Sequence, residues 1–226
     1  MAARKVALVI GYGPGIGHSV ATKWSAQGFS VALVSRTAAK LEAAAKTIPN
    51  AHSFPCDCRD PAALAACIAS VEGALGEVDA LIWNAGNGVW KKYDEIAVAD
   101  MESALATNVT GLLAATQVVV PKMVARGGGF VCITGATASL RGMPFTSCFA
   151  AAKAAQLSLS QSIARQVWKE GVHVAYSIID AGVGTGEGQM SPDAIANEYW
   201  HLAMQTPDCW TFKHHMQRAG SDMALL

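Results

Sequence analysis

Short stretches that are apolar throughout recur along the chain, and each is followed by a segment with helical spacing. Val6–Ile10 is the first, ending at Gly11, and Val31–Ser35 follows a helical run from Gly17 to about Gln27. Asp79–Trp83, Phe130–Thr134 and Val172–Ile179 repeat the pattern, with Ala51–Pro55 as a weaker strand. Between them the spacing predicts helices over Ala38–Thr47, Pro61–Leu75, Asp100–Arg126 (with a kink at Pro121) and Ser147–Glu170. Strands that are apolar on both faces need helices on both faces, which is the signature of a parallel sheet. Right-handed crossovers then give an α/β, doubly wound parallel sheet with helices on both faces, a three-layer αβα sandwich. No linker or repeat divides residues 1–226, so a single domain is expected. Toward the end, Asp193–Met204 reads as a helix and Cys209–Phe212 as a short strand, while the last dozen residues show no pattern.

Composition removes several function classes. Hydrophobic residues make up 52% and charged residues 15% of the chain, which suits thick buried layers. Lys plus Arg equals Asp plus Glu, 17 against 17, so no global field draws nucleic acid or an anionic membrane. Lys, Arg, Gly or Pro interrupts every apolar run before it reaches bilayer length. The start, Met-Ala-Ala-Arg-Lys, leads into an apolar run too short for a secretion-signal core, so a cytoplasmic protein is expected. The six cysteines then read as free, mostly buried thiols. No metal is expected. Cys56-Asp-Cys58 lacks the zinc spacing and a second pair, and His214-His215 reads as a surface pair without a third ligand.

The chemistry is concentrated in Gly11-Tyr-Gly-Pro-Gly-Ile-Gly17, set between the first strand and the first helix. Glycines there let the backbone turn sharply and approach a pyrophosphate unobstructed, while the helix N-terminus presents free N–H groups. Three further motifs stand in order: Asn84-Ala85-Gly86 after the fourth strand, Thr107-Asn108-Val109 on the long helix, and Phe149-Ala-Ala-Ala-Lys153. Together, over about Val6 to Ile179, these resemble the short-chain dehydrogenase/reductase family. The resemblance implies a single Rossmann-type dinucleotide-binding domain over 1–226, NAD(P)(H) as cofactor, and carbonyl/alcohol oxidoreduction of a small molecule. It places Gly11, Gly13, Gly15, Ile16 and Gly17 at the pyrophosphate, Asp57 and Cys58 beside the adenine, and Asn84, Ala85, Gly86 and Lys153 along the rest of the cofactor. It also implies a homodimer or homotetramer, joined through the two long helices at about 101–126 and 147–170.

At the end of the second strand an acidic residue would bond the ribose 2′-OH of NAD. This chain has Ser35-Arg36-Thr37 instead, a hydroxyl and a guanidinium suited to the 2′-phosphate of NADP(H). The plainer alternative is a solvated loop arginine.

The chain departs from the family pattern where the proton donor belongs. Lys153 and Asn108 are kept, but the tyrosine position holds Phe149, which has nothing to titrate. About a dozen residues earlier, where a serine would hold the substrate oxygen, stands Ala136-Thr137. Thr137 is either the surviving hydroxyl or an ordinary loop threonine. After the sixth strand Asp180-Ala-Gly-Val-Gly replaces the usual Pro-Gly turn and long covering segment. Trp83 is expected to pack beneath the cofactor, and Met143 and Phe145 to line the substrate cleft or the core. Cys148 shows no feature of a reactive thiol. Two functions remain open. One is an NADP(H)-dependent oxidoreductase with an altered proton donor built from Asn108, Thr137, Phe149 and Lys153. The other is an NADP(H)-binding protein with little catalysis, acting as a sensor or interaction partner.

Overall fold

A computed structural model describes residues 5–219. Among the described residues seven strands form one sheet in the order β3-β2-β1-β4-β5-β6-β7, every neighbouring pair parallel. The strands are β1 (Val6–Ile10), β2 (Ser30–Ser35), β3 (Ala51–Pro55), β4 (Val78–Trp83), β5 (Gly129–Ala136), β6 (Val172–Asp180) and β7 (Lys213–Gln217). The helices are α1 (Ile16–Ala26), α2 (Ala38–Thr47), α3 (Pro61–Leu75), α4 (Val98–Leu105), α5 (Gly111–Ala125), α6 (Ser147–Val167) and α7 (Pro192–Ala203).

Alternation along β1 shows why both faces are covered. Val6, Leu8 and Ile10 join one core with Leu64 and Ile68 of α3 and Leu112 and Val119 of α5. Ala7 and Val9 join a second core with Val20 and Trp24 of α1, Leu41 of α2 and Ile195 and Tyr199 of α7. Each such fully buried aliphatic side chain contributes about 1.5–3 kcal/mol. Two helix starts are written locally. Asp60 accepts from the N–H groups of Ala62 and Ala63, Ser191 accepts from Asp193, and a proline follows each cap.

Four expectations are corrected. The single long helix expected over Asp100–Arg126 is divided: a π turn over Ala106–Thr110 separates α4 from α5, and α5 includes Pro121. The last strand is Lys213–Gln217; Pro207–Cys209, overlapping the start of the expected Cys209–Phe212, is a 3₁₀ turn. His214 and His215 therefore sit half-buried in β7 rather than on the open surface. By length and a mean hydropathy of 1.4, Val98–Ala125 does meet the requirement for a bilayer span, although 50% of that apolar window is buried inside the fold.

All six cysteines are free. Cys148 is buried with its thiol toward the Asp100 carbonyl, 3.6 Å away. Burial pushes the Cys58 thiol up to about 11 and that of Cys132 up to about 12.

Candidate functional site

The strand order reverses between β1 and β4, and the turns after these strands meet at the carboxyl edge of the sheet. Gly11 has φ +90°, and a Cβ there would fall 2.3 Å from the Ala85 backbone nitrogen. Only glycine lets the two turns approach so closely. Asn84 fastens them, its Nδ2 donating to the Gly11 carbonyl at 2.9 Å. At Gly17 a Cβ would come within 3.0 Å of the Tyr12 Cα. Gly13 and Gly15 differ: nothing lies within 4 Å of a Cβ on either. Their bareness serves no packing need, and it leaves open space directly before α1, whose N-terminus carries neither a side-chain cap nor an acidic residue.

On one side of this turn a hollow of about 320 Å³ is lined by Tyr12, Ser35, Arg36, Asp57, Cys58 and Asn84, among others. Arg59 grips Asp57 through Nη2 at 2.6 Å and Nε at 3.0 Å, which holds the Asp57 carboxyl below its usual range. Arg36 has no such partner among the ion pairs of the described residues.

On the other side a cleft of about 470 Å³ is lined by Ile16, Gly86, Trp90, Thr134, Phe149 and Lys153, with smaller contributions from neighbours. Lys153 is 4% exposed. Its Nζ donates to the Thr134 carbonyl at 2.7 Å and to Gln156 Oε1 at 2.9 Å. Both acceptors are neutral, and burial pushes the amine down to about 7. Asn108, fully buried on the π turn, donates through Nδ2 to the carbonyls of Asn87 (2.7 Å) and Ala104 (2.9 Å). Its Oδ1 is buried without a partner. A Cβ on Gly86 would lie 3.6 Å from that oxygen and 3.7 Å from Lys153 Nζ, so both groups converge beside this glycine.

Phe149 stands at the mouth of the same cleft. Its ring centroid is 5.0 Å from that of Trp90 and 5.8 Å from Lys153 Nζ, and a Cβ on Gly88 would meet Phe149 Cδ2 at 2.6 Å. Thr137 lines an adjoining hollow with Trp90, Arg141 and Met143, whereas Ala136 borders both. Phe145 is 54% exposed, and Trp83 is fully buried among the core residues beneath the site.

Sequence reasoning missed the framework behind these groups. Thr134 is its centre: the hydroxyl donates to Asn84 Oδ1 at 3.0 Å and accepts from Tyr199 at 2.9 Å, while the carbonyl holds Lys153. Gln156 links Lys153 to the Asn108 carbonyl through Nε2 at 2.9 Å, and Tyr176 donates to the Lys153 carbonyl at 3.1 Å. Gln156 lies three residues after Lys153, so helical spacing alone signals that the two are neighbours.

A turn with open space before it, a helix start without an acidic residue and a buried amine beside a largely apolar cleft stand together at the carboxyl edge of the sheet. Residues 5–189 match the short chain dehydrogenase family. D-threitol dehydrogenase of Mycolicibacterium smegmatis is 30% identical over 210 residues, covering 90% of this chain and 75% of that protein. Sorbitol dehydrogenase of Cereibacter sphaeroides is 31% identical over 200 residues, covering 88% and 77%. Among solved structures, a short-chain dehydrogenase from Rhodopseudomonas palustris superposes with TM-score 0.87 at 28% identity, covering 95% of this chain and 98% of that one. A metagenomic short-chain oxidoreductase in complex with NADP superposes with TM-score 0.85 at 26% identity, covering 95% and 97%. The chain belongs to the short-chain dehydrogenase family, oxidoreductases that bind NAD(P) on a Rossmann-type fold. Its own residues fit that cofactor: the open cradle at Gly13 and Gly15 would accommodate phosphates, and the orphaned Asn108 Oδ1 and the Lys153 amine offer partners beside Gly86.

Proposed function

We propose that this protein, a single domain, interconverts a small carbonyl compound and its alcohol with NADP(H), without the family's tyrosine. The observation that carries the reading is the buried Lys153 amine, held by two neutral oxygens and facing an apolar cleft beside the cofactor cradle. When bound, the nicotinamide supplies or accepts the hydride, as the cofactor's own chemistry provides. The protein's part is to bind, orient and manage one proton. Gly11 to Gly17 receive the pyrophosphate, Asn84 fixes the turn, and Asp57 and Cys58 border the adenine. Phe149, Trp90 and Ile16 give the cleft apolar surface. Near neutral pH the Lys153 amine exists in both protonation states, so it holds and exchanges a proton at Nζ, directly or through a water placed between it and Asn108 Oδ1. Thr137 is the nearest counterpart of the family's serine by chain position, though its place in the adjoining hollow sets it beside the substrate's remainder.

Ser35 and Arg36 line the cofactor hollow at the end of β2, and Arg36 makes no ion pair among the described residues, although its charge helps hold the Asp57 carboxyl below its usual range. Loss of one charge-assisted contact costs about 1.5–3 kcal/mol, roughly ten- to a hundredfold in affinity. Calorimetric titration is therefore expected to show NADPH binding at least tenfold tighter than NADH, with Arg36→Ala removing most of the difference. Equal affinities in the unaltered protein would remove the NADP(H) assignment. NADPH oxidation against a panel of aldehydes and ketones then tests the reaction. A second reading, binding with little catalysis, draws on Phe149, because Lys153 holding a ribose would explain its retention without turnover. Tight NADPH binding with no oxidation across the panel selects it.

A further inference from the structure

A second hollow, of about 320 Å³, adjoins the Lys153 cleft and shares Trp90, Phe149 and Ile179 with it. Polar and apolar surface line it in about equal measure, and its charged residues are Arg141 and Asp180. Asp180 is already engaged. Its Oδ2 accepts from Gln217 Nε2 at 3.3 Å and lies 3.3 Å from His215 Nε2, and its side chain is only 14% exposed. Arg141 is half-buried and has no partner among the ion pairs of the described residues. Only its backbone is fixed, the N–H donating to the Thr137 carbonyl at 3.2 Å. The hollow beside the reacting cleft thus offers one charge that makes no ion pair or side-chain hydrogen bond among the described residues. That charge is a guanidinium.

We propose that the substrate carries a carboxylate in addition to its carbonyl or alcohol, and that Arg141 receives it. The inference rests on the reading above that a carbonyl or alcohol is converted in the Lys153 cleft. A guanidinium presents paired donors that match the two oxygens of a carboxylate. Trp90 and Met143, both more than half exposed, give the rest of the substrate apolar surface to lie against. Asp180 directs Oδ2 to Gln217 and His215 and makes no ion pair with Arg141, so the guanidinium stays available, and a cationic substrate would face it.

The test compares 4-carboxybenzaldehyde, methyl 4-formylbenzoate and a 4-(trimethylammonio)benzaldehyde salt with the NADPH-loaded protein. Turnover is followed by NADPH absorbance, and binding separately by saturation-transfer NMR. The unaltered protein is expected to favour the acid over the ester at least tenfold in both readouts, about 1.4 kcal/mol. Arg141→Gln should erase the preference, and Arg141→Lys should keep part of it. The Arg141 side chain touches no catalytic group, so neither change should alter NADPH binding. Turnover of all three without preference, a preference that survives Arg141→Gln, or tighter binding of the cation overturns the carboxylate assignment while leaving the oxidoreductase reading intact. Selective binding of the acid that needs Arg141, with no turnover of any probe, upholds this assignment and instead removes the reaction. Absence of binding by all three overturns it.

Discussion

Lys153 is held in the cleft at a cost to the fold. Its amine is buried among neutral acceptors, and desolvation lowers it from 10.5 to about 7. A lowered lysine pKa means the native state binds fewer protons than the unfolded chain between about pH 7 and 10.5, so this residue's penalty shrinks as pH rises through that window and is complete below it. Replacing it with an uncharged side chain of similar length should therefore stabilise the cofactor-free protein. Lys153→Met is expected to melt a few degrees higher than the parent at pH 6–7, a gain of a few kcal/mol at most after the lost hydrogen bonds are subtracted. The gap should narrow toward pH 10, as read by thermal melts in parallel buffers. A gap independent of pH would contradict the buried-amine account. Gly15 poses the complementary case. Because nothing lies within 4 Å of a Cβ there, Gly15→Val has little to disturb in the fold, yet its side chain would fill the space proposed for the phosphates. NADPH binding is expected to fall more than a hundredfold with the circular dichroism unchanged. Retained affinity would show the glycine run to be only a turn.

Elements meet at Thr134, which ties α7, β4 and α6 together. Tyr199 reaches it from α7, Asn84 from the turn after β4, and Lys153 from α6. The tyrosine hydroxyl is fully buried, and burial raises it well above the usual phenol range, so it acts as a fixed neutral donor. Tyr199→Phe removes one hydrogen bond and leaves no orphaned donor, since Thr134 still donates to Asn84. It should destabilise the protein by about 0.5–1.5 kcal/mol, measured by urea unfolding. A cost above 3 kcal/mol would mean that α7 depends on this contact far more than one hydroxyl allows. None of this junction was legible in the sequence. Motif spacing located Asn84 and Lys153 separately, but no local pattern says that a tyrosine 65 residues beyond Thr134 comes back to it. The π turn at Ala106–Thr110 was hidden for another reason. It keeps helical spacing on either side, and from it Asn108 donates to both Ala104 and Asn87.

At the scale of the whole molecule the fold was legible wherever burial is two-sided. The central strands β1, β2 and β4 declare themselves as apolar runs because helices cover both faces. Edge strand β7 does not, since Lys213, His214 and His215 answer to one neighbouring strand and partial cover. The site divides along the same line. Its glycine turns and its lysine are backbone and motif features that one chain can display, whereas the engagement of Asp180 depends on β7 lying beside β6. What the architecture finally turns on is Phe149. Its ring lies 5.8 Å from Lys153 Nζ at the border of the cleft, so a hydroxyl added to it should find a nearby ammonium that favours phenolate. Positioned general acid–base catalysis contributes roughly 10²–10⁴-fold. The decisive measurement is the steady-state rate of NADPH-dependent reduction of an α-diketone by the unaltered protein, Phe149→Tyr and Phe149→Tyr/Lys153→Ala, with NADPH affinity determined for each. The account predicts a rise of at least a hundredfold on adding the hydroxyl and its loss when the lysine is removed. Phe149→Tyr that binds NADPH normally and gains no rate would contradict it.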